Sequence, residues 1–191
     1  MADYVTVANL ALSLIGENDQ LRDPDEDSAP ARAVRAVWDR VRRAVLRDHP
    51  WNFAIERRTL PALNEAVIGF THAFLLPTGC LRFLEILEPL DIRDTYQIEN
   101  GRILANAAGP IAVRYVADRT DVSTWDDLFI DAFAAKLAHQ IADRITGDLD
   151  RQDAMEKIYS RRLSSATATD ARENPPIPHE DSDWLLARFG T

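Results

Sequence analysis

Cys80 is the only cysteine in the chain. A catalytic thiol needs a nearby base or cation to become a thiolate, and no such partner is identifiable around Pro77-Thr78-Gly79-Cys80. The sequence therefore reads Cys80 as a small core residue opening a strand, in keeping with how often free cysteine is buried. One cysteine permits no internal disulfide, and a zinc site would fall to His49, His72, His139 and His179, which lie in separate segments without ligand spacing. Two carboxylates at a suitable separation hydrolyse a glycan, but the sequence selects no such pair. Glu56 and Glu65 flank a strand and a turn, while Glu85 and Glu88 read as exposed strand positions, solvated as most acids are. His139 sits among Leu137, Ala138 and Ile141 as a hydrogen-bonded structural residue. His49 precedes Pro50 at a helix C-terminus, where a protonated ring would be favoured by the helix dipole. No nucleophile elbow, phosphate-binding glycine loop or His-Glu-x-x-His pair is present. The expectation is a non-enzymatic chain with neither metal nor cofactor.

Arginine carries the clearest pattern. Arg32, Arg35, Arg40, Arg42, Arg43 and Arg47 accompany Asp39 alone in one stretch, and their spacing gathers them opposite Val34, Val37, Trp38, Val41 and Val45 on a helix. The guanidinium fork suits carboxylate or phosphate, so the stripe is a solvated face, a surface between copies, or the lining of a channel. Two acidic runs answer it: six acids against Arg22 between Glu17 and Asp27, and four against Arg188 from Glu173 onward. A solvated face is the plainest expectation; of the other two, pairing between copies is preferred over DNA contact, making these six arginines candidates for a subunit interface or channel.

Around that helix the sequence predicts three others. The first runs from a cap at Asp3 to Gly16. Ser28 caps the arginine helix, with Pro30 in its first turn and Pro50 ending it near His49. The third starts at Asp121 or Ser123 and runs to about Ile145; its apolar residues spread over more than one stripe, so it is expected to lie between other helices. The fourth spans about Asp148 to Ala171. Between the second and third, short runs at Ile55–Leu60, Thr71–Leu76, Leu81–Leu87, Tyr96–Glu99, Arg102–Ala105 and Ile111–Val116 predict strands, with a hairpin at Asn100-Gly101. The expected fold is α+β and mainly α: a four-helix bundle (1–54 and 118–172), a small antiparallel sheet module inserted at 55–117, and an extended C-terminal arm (173–191). Past Pro175, Pro176 and Pro178 that arm tethers Trp184, Leu185, Leu186 and Phe189, which are candidates for docking on a partner.

Composition is ordinary for a globular chain of 191 residues, with 46% hydrophobic and 28% charged residues. A formal charge of −9 argues against free nucleic-acid binding, which depends on neutralising phosphates. No apolar run reaches membrane-spanning length, and Val5–Ile15 lacks the basic flank of a signal peptide. No membrane partner is expected.

Several landmarks occur in a telling order. Ala11-Leu12-Ser13-Leu14-Ile15-Gly16 closes the first helix. The arginine helix leads into Arg47-Asp48-His49-Pro50-Trp51-Asn52-Phe53-Ala54 and then Arg57-Arg58-Thr59-Leu60. Phe74-Leu75-Leu76-Pro77-Thr78-Gly79-Cys80-Leu81-Arg82 and Val113-Arg114-Tyr115-Val116 follow, then Leu128 to Ala138, and Tyr159 in the closing helix. In these features, over residues 4 to about 172, the chain resembles the tail tubular protein A family, the head–tail adaptors of short-tailed phages. His-Pro-Trp-Asn-Phe-Ala is the most specific segment. The resemblance implies a homo-oligomeric, twelve-fold ring between the portal protein and the tail nozzle protein, with genomic DNA passing through without sequence-specific contacts. It places the chain in the neck of a virion, made in the bacterial host cytoplasm. The arm lies outside the resembling residues; its apolar groups, not the resemblance, give the expectation that it engages the portal. Other functions weighed are a peptidoglycan-degrading tail protein and a small DNA-binding regulator; the inserted strands and acidic ends are foreign to the latter.

Overall fold

The computed structural model describes residues 2–65, 67–93 and 95–174. They form an α+β chain of four helices and two small antiparallel sheets. Helices α1 (Tyr4–Leu14) and α2 (Ala29–Asp48) come first. Strands β1 (Ile55–Leu60), β2 (His72–Leu75), β3 (Cys80–Glu88), β4 (Tyr96–Glu99), β5 (Arg102–Ala105) and β6 (Ile111–Ala117) follow, then helices α3 (Asp127–Thr146) and α4 (Leu149–Glu173). Local chemistry sets the helix starts. Asp3 accepts from the Thr6 amide at 2.7 Å, and Ser28 from that of Ala31 at 3.2 Å with proline in the first turn. Each relieves an orphan amide that a helix start leaves unpaired.

The third helix begins later than the sequence predicts. Asp121 caps only a single 3-10 turn, Val122–Thr124, by accepting from Ser123. The true cap is Asp126, which accepts from the amides of Leu128 at 2.9 Å and Phe129 at 3.2 Å. Trp125 lies between the two turns, its indole donating to the Arg119 carbonyl at 3.0 Å. As its several apolar stripes imply, α3 packs against α1, α2 and α4 alike. Within this helical core Trp38 stands edge-on to Phe133, with ring centroids 4.8 Å apart, and Trp125 stands edge-on to Phe129 and Phe133.

The inserted segment departs from a single sheet. It forms two three-stranded sheets, β1-β6-β3 and β2-β5-β4, with every pairing antiparallel. Alternation along the strands explains this: Ile111, Val113 and Tyr115 line one face of β6, and Phe74, Ile103 and Ala105 line one face of the second sheet. Each apolar face needs a cover, and stacking the sheets buries both as a second core separate from the helical one. The Asn100-Gly101 hairpin forms as expected, with both residues at positive φ.

Gly109, just before β6, occupies φ +76°, and a Cβ there would stand 2.9 Å from Phe74 Cε1 and 3.2 Å from Ala62 Cβ. Phe74 is fully buried and cannot withdraw. Gly109→Ala is expected to destabilise the chain by about 1–3 kcal/mol, from backbone strain and overpacking together. An unchanged denaturation midpoint would contradict this packing.

Candidate functional site

The six arginines of α2 do not form one uniform exposed stripe. Arg32 pairs with Asp27 at 2.5 Å, and Arg35 lies 3.6 Å from Asp25 while donating to the carbonyls of Pro24 and Glu26. The acidic loop is thus held by the arginines of its own chain. Arg40 donates to Gln140 on α3 at 2.6 Å. Arg47 donates to the Leu81 carbonyl at the start of β3, and Arg82 returns a bond to the Arg47 carbonyl at 3.2 Å.

Arg42 corrects the helical-wheel reading outright. It is 4% exposed, and its guanidinium grips Asp118, at the end of β6, through Nε at 2.9 Å and Nη2 at 3.1 Å. Asp39 takes a further Arg42 N–H, and Arg43 meets Asp118 from the solvent side at 3.1 Å. Burial alone would push the Asp118 carboxyl up, but the bonds and charge of Arg42 and then Arg43 outweigh it and hold it below its ordinary value. Arg35, Arg42 and Arg43 also border an open cleft of about 550 Å³ with Tyr4, Trp38 and Thr120. The arginine helix therefore fastens three things: the acidic loop, α3 and the strand module.

The segment from His49 to Ala54 forms a second joint. The Trp51 indole donates to the Val45 carbonyl at 2.9 Å, and its ring is buried against Phe129. Asp170, near the end of α4, receives the His49 ring at 2.9 Å and the Asn52 amide at 3.0 Å. The Asn52 side-chain amide donates to the Asp170 carbonyl at 2.8 Å. One turn of α4 is thereby tied to the chain just before β1. Nearby, Tyr159 donates to Asp48; burial first, and then that carboxylate, push the phenol well above its usual value.

Most of the remaining candidates are engaged in pairing or packing. Glu56 accepts from the Tyr115 hydroxyl at 2.6 Å and pairs with Arg119 at 2.9 Å. Glu65 pairs with Arg102 at 2.7 Å. Glu85 is not the solvated strand position its spacing implies: Arg114 meets it at 3.0 Å and Arg93 also bonds it. Glu88 borders an open cleft of about 690 Å³ at the far tip of the strand module. Cys80 does open β3, where burial pushes its thiol up. His139 Nδ1 donates to the Gln152 carbonyl at 3.0 Å, a structural role as expected. Among the described residues, no three His, Cys, Asp or Glu side chains gather as a metal site, and no helix is long and apolar enough to cross a membrane. Trp184, Leu185, Leu186, Phe189 and His179 lie outside the described residues.

Sequence spacing does not reveal Asp118 or Asp170. Asp118 is one acid in a chain rich in them, and Arg42 reaches it across 76 positions. Asp170 is one of several acids along α4. No family model matches the chain, and no curated protein matches it significantly.

Proposed function

We propose that this chain is a non-enzymatic, structural head–tail adaptor of a phage or prophage particle. In this reading a four-helix bundle carries the 55–117 strand module and assembles with further copies, twelve by the resemblance, into a ring between portal and tail nozzle. DNA passes through the centre without being read, and the arm bearing Trp184 engages the portal.

The observation that carries the reading is where the most specific landmark falls. His49 to Ala54 occupies the joint between α2, the end of α4 and the start of β1. Such a joint fixes the pose of the strand module on the helices, and closed rings need subunits that present the same geometry at every interface. The cis pairing of the acidic loop with Arg32 and Arg35 shifts the expected contacts between copies to other surfaces.

Negative-stain microscopy of the full chain mixed with its portal protein tests the proposal. Annular particles are expected. Monomers that persist without portal binding would overturn it.

A further inference from the structure

The β1-β6-β3 sheet bears an unbalanced row of guanidinium groups. Arg57 on β1 and Glu85 on β3 are both direct cross-strand partners of Arg114 on β6, so the three side chains leave the same face. Arg93 bonds Glu85 as well. Two cations, Arg114 and Arg93, thus share one carboxylate, and Arg57 adds a third charge beside Arg114. Arg57 is exposed and has no ion-pair partner among the described residues, and it stands directly opposite another arginine, an arrangement that is unfavourable on its own. Arg114 keeps a buried Nε–H that no acceptor meets. A row of this kind is completed by an incoming anion.

We propose that the row is the docking site of this chain's own acidic segment, Glu180–Asp183, which lies outside the described residues. Glu180, Asp181 and Asp183 fall within four positions, and the nearest arginine after them is Arg188. The departure point of the chain favours this occupant. Asn174 donates to the Asn52 side chain at 2.6 Å, and Asn52 lies shortly before β1. Asn52 to Arg57 spans at most about 17 Å, less because Asn52–Ala54 is a 3-10 turn, whereas Asn174 to Glu180–Asp183 spans up to about 20–30 Å. The tether is therefore long enough for the acids to reach the row. Exposed ion pairs are individually weak and screened by salt, so the docked state is salt-sensitive and open to competition by a partner. The inference concerns the isolated chain and stands independently of any ring.

Fluorine NMR of the full chain labelled with 5-fluorotryptophan tests it, with the Trp184 signal identified by Trp184→Phe. At low salt the Trp184 signal is expected to be broadened and displaced from its position in the denatured chain. Arg57→Glu should return it to that position while the signals of Trp38, Trp51 and Trp125 stay in place, which also reports that the fold is intact. Replacing Glu180, Asp181 and Asp183 by their amides should release it equally, without touching the folded residues, and so should high salt. A Trp184 signal already at the denatured position at low salt overturns the proposal. So does a displaced signal indifferent to these changes. A displacement that grows with protein concentration overturns the own-chain assignment in favour of a second copy.

Discussion

Asp118→Ala is expected to destabilise the chain by about 3–5 kcal/mol, the usual cost of breaking a buried ion pair from one side. The side chains of Arg42 and Asp118 are only 5% and 11% exposed. Removing the carboxylate leaves the Arg42 guanidinium desolvated, with Asp39 its one remaining charged partner. Chemical denaturation measures the loss, and a lowering of Tm by roughly 10 °C should accompany it. Arg43→Gln provides the contrast: Arg43 meets the same carboxylate but is 61% exposed, so its loss should cost under about 1 kcal/mol. Equal effects of the two substitutions would refute the buried pairing. The pH dependence follows from the depressed Asp118 carboxyl. Its contribution is fully present above the ordinary value of 3.8 and is lost as pH falls through the lowered folded value. The stability gap between native chain and Asp118→Asn should accordingly be flat near neutrality and close in strong acid.

Trp51→Ala should be comparably severe, at about 3–5 kcal/mol, because a large aromatic leaves a cavity that its neighbours fill only in part. Trp51 is 1% exposed. It stands edge-on to Phe129 with centroids 5.1 Å apart and to His49 at 5.0 Å. Trp51→Phe keeps most of the volume and drops the indole bond to Val45, so about 1–2 kcal/mol is expected. The consequence should also be local. His49 and Asn52, on either side of Trp51, hold Asp170, so amide exchange in the last turns of α4 should accelerate more than in its first turns. Uniform acceleration along α4 would mean that the joint does not anchor its end.

Features with a short-range cause were legible in the sequence. The caps at Asp3 and Ser28, the six strands, the Asn100-Gly101 hairpin and the central place of α3 all follow from turn chemistry or hydrophobic period. Features that depend on two distant segments meeting were not. Both Asp121 and Asp126 satisfy the local rule for a helix cap, and only the packing of Trp125 between them separates the 3-10 turn from the helix. Arg42 looks like its neighbours on a helical wheel until β6 delivers Asp118 beside it. Strand alternation showed that each run had an apolar face, but not that the faces would cover one another as two sheets. For the proposed adaptor, the order of the landmarks along the chain is the legible part.

The position of α3 has a consequence for how the chain is made. Helices α1 and α2 find their main helical partner in α3, which leaves the ribosome only after the whole strand module. The core of that module draws on a contiguous stretch from Leu60 to Ala117, so it can close while the chain is still growing. Until α3 arrives, the apolar side of α2, with Val34, Trp38 and Val45, lacks its cover. The nascent chain is therefore expected to pass through a stage in which the inserted module is finished and its host is not, a stage open to aggregation and to chaperone capture.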